Sequence, residues 1–296
     1  MMANKKKTVR TAKAIFSLPD VMITPIIQLA LAEDLGRRGD ITSQAIIPVG
    51  TKAKLAIVSR EDGILAGMDL ARLSFTLCDP KIKFKTKAQD GDRIQTGQVL
   101  AIVKGDAHAL LQAERVALNF LTHLSGIASQ TAIAVAQVAH TKTKITCTRK
   151  TIPLLRSLQK YAVRVGGGCN HRMGLDDAIL IKDNHLIYVD SLTNAIYRAK
   201  HAAGHLIAVE VEVDTLEQLQ QALDAGATFV LLDNMDDATL QQAVMMCQGR
   251  AKTEASGGIT LERIKTIAEH GVDYIALGYL THTVKNLDIG LDYLVK

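Results

Sequence analysis

Residues 207–234 read IAVEVEVDTLEQLQQALDAGATFVLLDN, and the change of period inside this stretch decides the fold. An apolar, Val-rich run gives way to a segment with apolar residues at Leu219, Ala222 and Leu223. That segment stops at Gly226 and is followed by a second apolar run. The pattern is strand, amphipathic helix with a glycine stop, strand. Both runs are apolar at most positions, as strands buried on two faces are, so the sheet is expected to be parallel.

The same rhythm runs outward in both directions. The runs KITCT (144–148), AILIK (178–182), TEASGG (253–258) and YIALG (274–278) join the two above. Helical patterns TNAIYRAKHAA (193–203), DATLQQAVMMC (237–247) and LERIKTIAEHG (261–271) lie between them. Polar residues gather at the C-terminal end of each run: Arg149 and Lys150, Lys182 and Asp183, Glu212, Asp233 and Asn234, Ser256 to Gly258, Gly278. Loops converge on that rim in a β/α barrel, which is where such folds build their sites. The expectation is an irregular α/β barrel of six or seven parallel strands over residues 126–296, its last residues free to pack back on the N-terminal part.

Upstream the pattern differs. AKLAIVSR (53–60), KIKFKTKA (81–88) and QVLAIVKG (98–105) read as strands and TPIIQLALAEDLG (24–36) as a helix, giving an α+β sandwich domain over 19–125 that includes the start of a linking helical stretch, residues 108–140. The turn-and-strand DGDRIQTGQVLAIV (90–103) resembles a lipoyl or biotin-carrier module but lacks the lysine such a module modifies at its hairpin tip. Residues 1–18 read as a mobile basic tail without the apolar stretch of a signal peptide.

Composition narrows the function. Aromatic residues make up 4% of the 296 and Trp is absent, which disfavours base-stacking surfaces and hence nucleic acid as the partner. Four widely spaced cysteines suit neither a zinc site nor a disulfide framework and point to the cytoplasm; no run is long enough to cross a membrane. Residues 148–182 carry seven Lys or Arg against two acids, a surplus of five that equals the net charge of the chain, and a Gly-Gly-Gly lies among them. Cations in this number suit a small polyanion, since Arg matches carboxylate or phosphate with a planar fork and Lys acts as a point charge.

Alternation in VEVEV sends Glu210 and Glu212 to one face of their strand and the valines to the other. A carboxylate turned into a barrel mouth needs a cation, a metal or a hydroxyl ligand; a salt bridge to a neighbouring strand's Lys is the plainer outcome for Glu210, Glu212 and Asp233. Two carboxylates beside phosphates suit Mg²⁺. SGGIT and LGY, after the last two strands, supply glycine turns of the kind that cradle phosphate.

Taken in order, ERVALN, TRKT, GGGCNHRMGL, ILIKDNH, VEVEV, VLLDN, EASGGIT and ALGYLT closely resemble the quinolinate phosphoribosyltransferase family, from about residue 30 to the end. The resemblance implies transfer of phosphoribosyl from phosphoribosyl pyrophosphate to quinolinate with decarboxylation, giving nicotinate mononucleotide for NAD synthesis, in a homodimer that uses Mg²⁺. It implies that Arg149, His171, Arg172 and Lys182 hold the two carboxylates, with Arg115 reaching in from a partner subunit. Lys150 faces the pyrophosphate, and Thr151 belongs to the same substrate-binding set. Glu212 and Asp233 meet the ribose hydroxyls and Mg²⁺, and Ser256, Gly257, Gly258, Leu277, Gly278 and Tyr279 line the 5′-phosphate site. Lys150, Lys182, Glu212 and Asp233 are the expected catalytic set. One departure stands out: Ile152-Pro153-Leu154-Leu155-Arg156 occupies the place of the family's Thr-Pro-Gly-Leu-Arg. It leaves open a paralogous enzyme of a molybdate operon with another acceptor; a non-catalytic polyanion-binding module would require Glu212 and Asp233 to be structural only.

Overall fold

The computed structural model describes residues 17–294. Most of the expected basic tail, residues 1–16, lies outside them. Six short parallel strands form one sheet: Lys144–Thr146, Ile179–Ile181, Val209–Val213, Phe229–Asp233, Lys252–Ser256 and Tyr274–Ala276. The first strand pairs with the sixth, and the order then runs fifth, fourth, third, second, so the sheet curls into a barrel whose seam lies between the first two strands. At that seam the chain makes one isolated bridge, Thr146 to Cys169, in place of a seventh strand. Helices Leu192–Ala202, Leu216–Asp224, Asp237–Cys247 and Leu261–Glu269 cover the outside, three of them capped at the N-terminus by the side chains of Ser191, Thr215 and Asp236. Val211, Val213, Val230 and Leu232 pack outward against these helices in one apolar cluster. Glu210, Glu212, Leu231, Asp233, Glu254 and Ser256 are left on the inner side.

The N-terminal domain is an antiparallel sheet in the order Ile289–Tyr293, Lys52–Ser59, Val99–Asp106, Lys83–Thr86, packed on helices Met68–Cys78 and Ala107–Gln137. Its first strand in that order comes from the C-terminus of the chain, which leaves the barrel and returns to the other domain. The helix Ala107–Gln137 is one continuous rod of 31 residues that belongs to both cores. Among the described residues no helix is long and apolar enough to cross a membrane.

The three glycines at 166–168 are explained by this rod. A Cβ on Gly166 would lie 2.3 Å from the Ala128 carbonyl oxygen and 2.6 Å from the Thr131 Cβ, and one on Gly168 would meet Thr131 and Val163 at 2.9 and 2.8 Å. Gly167 has φ +92, a conformation that side chains other than hydrogen resist. The triplet lets the chain turn out of helix Arg156–Val165 against the rod and enter the seam at Cys169, whose N–H donates to Ile145 O at 2.8 Å. Gly166→Ala is therefore expected to destabilise the protein by about 1–3 kcal/mol through overpacking, read from urea unfolding; an unchanged midpoint would contradict the contact.

Candidate active site

The mouth of the barrel encloses a cavity of about 680 Å³ at the C-terminal ends of the strands. Of the expected site residues, Arg149, Lys150, His171, Arg172, Lys182, Glu212, Asp233, Ser256, Gly257, Gly258, Gly278 and Tyr279 all line it. Three do not. Leu277 is 1% exposed in the apolar cluster outside the strands, and its N–H donates to Thr146 O at 2.9 Å. Thr151 sits behind the rim, where its hydroxyl accepts from Arg156 Nε at 3.0 Å. Arg115 is exposed on the 31-residue rod, away from the cavity of its own chain.

The cations divide by task. Arg149 and Arg172 project into the cavity, and the Nε of each is buried without a hydrogen-bond partner. Burial, and then the charge of Arg149, holds the Arg172 guanidinium below its ordinary pKa. Arg172 Nη1 donates to Ala178 O at 2.8 Å, at the entry to the second strand. The remaining cations of the basic stretch do not face the cavity: Arg156 donates to Thr151 Oγ1 and Met173 O, Lys160 is buried, and Arg164 is exposed. Reading all seven cations as aimed at small anions is thus corrected to four.

The acidic side is built by strand alternation. Glu212 forms an ion pair with Lys182, which directly follows the adjacent second strand. Burial raises the Glu212 pKa; the Lys182 hydrogen bond and charge oppose this, while Asp233 and Asp183 add to it. Asp233 accepts from Asn234 Nδ2 at 2.6 Å. Asn234 has φ +54, and a Cβ on Gly257 (φ +92) would fall 2.2 Å from its Oδ1, so only glycine fits beside it. Deeper in the barrel, Glu210 accepts from His171 Nε2 at 2.9 Å, with Glu254 Oε1 at 3.6 Å. Burial raises the Glu254 pKa well above the ordinary carboxylate value, and the Glu210 charge adds to this. His171 Nδ1 accepts the Arg172 N–H at 2.8 Å. Both ring nitrogens are therefore engaged within the protein, and the imidazole forms the floor of the cavity.

Several lining residues were not singled out from the sequence: Thr148, Glu254, Ile259 and His282, with Asn234 noted only as a polar rim residue. Glu254 carried a usable signal, because Glu254 and Ser256 alternate on one strand as Glu210 and Glu212 do. His282 carried none, being one isolated histidine in a helical pattern.

Matches to known proteins agree with this geometry. The profile described as quinolinate phosphoribosyl transferase, C-terminal domain, matches residues 127–292, and that of the N-terminal domain matches residues 40–125. The chain belongs to the quinolinate phosphoribosyltransferase family. It is 46% identical to a probable nicotinate-nucleotide pyrophosphorylase (carboxylating) of Bacillus subtilis, over 88% of this chain and 89% of that protein. It is 48% identical to the nicotinate-nucleotide pyrophosphorylase (carboxylating) of Mycobacterium leprae, over 90% and 95%. The crystal structure of NadC from Streptococcus pyogenes superposes with a TM-score of 0.89 at 41% identity, covering 95% of this chain and all of that one.

Against the family, Leu154 becomes legible. It has φ +66 and is 84% exposed, so it holds the left-handed conformation that a glycine takes freely and buries nothing in return. That conformation costs an L-residue about 1–2 kcal/mol, while a glycine costs about 0.5–1 kcal/mol in chain entropy. Leu154→Gly is expected to leave stability unchanged or raise it by up to about 1 kcal/mol in urea unfolding. A loss of stability would show that the leucine makes a contact of its own.

Proposed function

We propose that this cavity joins quinolinate to the phosphoribosyl group of phosphoribosyl pyrophosphate, releasing pyrophosphate and CO₂ and giving nicotinate mononucleotide for NAD synthesis. The observation that carries the reading is the pair of half-buried guanidinium groups, Arg149 and Arg172, facing the acidic pair Glu212 and Asp233 across one cavity. A dicarboxylate supplies the charge that the guanidinium groups lack, with Lys182 beside them and His171 beneath. Lys150 meets the pyrophosphate, and Ser256, Gly257, Gly258, Gly278 and Tyr279 receive the 5′-phosphate.

The chemistry follows from the charges. As the bond from ribose C1 to the pyrophosphate oxygen breaks, positive charge grows at C1, and the carboxylates of Glu212 and Asp233 stabilise it. The pyridine nitrogen then bonds to C1. The resulting pyridinium accepts the electron pair left when the adjacent carboxylate departs as CO₂, and a proton takes its place on the ring carbon. Cleavage of the Lys182–Glu212 ion pair on binding frees Lys182 for the substrate carboxylate and Glu212 for the ribose. Glu212 and Asp233 also fit Mg²⁺: they are hard oxygen donors on one side of the cavity, and burial, with a smaller contribution from the Asp233 charge, raises the Glu212 pKa. The ion would neutralise charge on the departing pyrophosphate.

The same reading makes the enzyme a homodimer in which Arg115 completes the acceptor subsite of the partner. All four cysteines are free thiols, which suits the cytoplasm.

Nicotinate mononucleotide formation from quinolinate, phosphoribosyl pyrophosphate and Mg²⁺ tests the reading, and no product would reject it. Glu212→Gln and Asp233→Asn should each lower kcat by about 10²-fold or more while leaving the quinolinate KM little changed, as for contacts made in the transition state. Near-normal kcat would remove them from the reaction. Mixing Arg115→Ala with Lys182→Ala, each inactive alone, should restore activity through hybrid dimers; no recovery would reject the shared site.

A further inference from the structure

Lys160 is the one cation of the basic stretch with no exposure at all. It lies on the buried face of helix Arg156–Val165 and does not line the cavity. Its ammonium group donates to His171 O at 2.7 Å, to Arg172 O at 3.0 Å and to Cys147 Sγ at 3.3 Å. All three of its protons are thereby used.

Those carbonyls belong to the stretch that needs them held. Between the first and second strands the only sheet pairing among the described residues is the Thr146 to Cys169 bridge, so the main chain of His171 and Arg172 has no ladder on this side. Lys160 takes the ladder's place from below. On the other side Arg172 reaches Ala178 O, and His171 is fixed through Glu210. The grouping of His171, Glu210 and Glu254 is not a metal site in this arrangement. Nδ1 accepts the Arg172 N–H, so Nε2 carries the ring proton and has no lone pair to offer an ion.

We propose that Lys160 is a positioning residue for the acceptor subsite: its ammonium group holds the carbonyls of His171 and Arg172 and so fixes the imidazole floor and the place where the Arg172 guanidinium meets the dicarboxylate. The phosphoribosyl side of the cavity, built on Asp233, Ser256 and Gly257, owes nothing to it. The proposal rests on the acceptor reading given above.

The test is a split between the two substrates. Lys160→Met keeps an unbranched side chain, one atom shorter, and removes its donors. Its KM for quinolinate should rise about 10- to 100-fold, the cost of a small misplacement in a binding constellation, while the KM for phosphoribosyl pyrophosphate stays within about twofold. If circular dichroism shows Lys160→Met to be unfolded, the same two constants are read on Lys160→Gln, whose amide keeps two donors; the same selective rise is expected, smaller in size. An unchanged quinolinate KM, or an equal rise in both constants, overturns the proposal. Wild-type protein run in parallel separates this from the functional reading: if it fails to turn over quinolinate, the acceptor assignment falls first and takes the proposal with it.

Discussion

Two guanidinium groups with buried, unpartnered Nε atoms line one cavity, and this concentration of positive charge organises the rest of the site. Arg149 and Arg172 come from opposite sides of the barrel seam, one after the first strand and one just before the second. Burial strengthens their repulsion and withholds the water that would relieve it. The cavity is thus poised for a substrate that brings two negative charges. The acids opposite are kept apart from these cations and are partly neutralised by Lys182 alone, so a second ligand with developing positive charge can be served by the same cup.

Holding that arrangement needs polar groups in places where a barrel would ordinarily be apolar. Lys160, Gln159 and Glu210 lie in the interior or at the seam, and each is hydrogen-bonded to main chain or to another side chain, while Glu254 is buried beside His171 with its Oε1 unpartnered. Gln159 accepts the Ile152 N–H at 2.9 Å and donates to Thr281 O at 3.1 Å, which pins the loop after the first strand to the end of the barrel. The short, irregular strands at the seam are the reason for this network: where the ladder stops, side chains supply the hydrogen bonds that the backbone lacks.

The barrel was legible because its strands are short, mostly apolar runs spaced by amphipathic segments, and its helices end in recognisable caps and glycines. The cluster of cations and the outward valines of VEVEV led directly to the rim. Helix Arg156–Val165 keeps the helical spacing in Leu158, Tyr161, Ala162 and Val165, but its buried face also takes Gln159 and Lys160, so the segment reads as part of the cationic stretch. Helix Met68–Cys78 was hidden: Leu70, Leu73, Phe75 and Leu77 read as near-alternation in so short a run. The seam itself, with His171 turned inward and Leu277 turned out of the cavity, depends on the register of neighbouring strands, which a single sequence does not display.

The central claim is that the cationic half of the cavity is matched to a diacid. Steady-state kinetics with quinolinate and with nicotinate, at saturating phosphoribosyl pyrophosphate and Mg²⁺, tests it most directly. The monoacid leaves one half-buried guanidinium without its partner, so kcat/KM should favour quinolinate by about 10⁴-fold or more. Comparable values for the two acids would contradict the account.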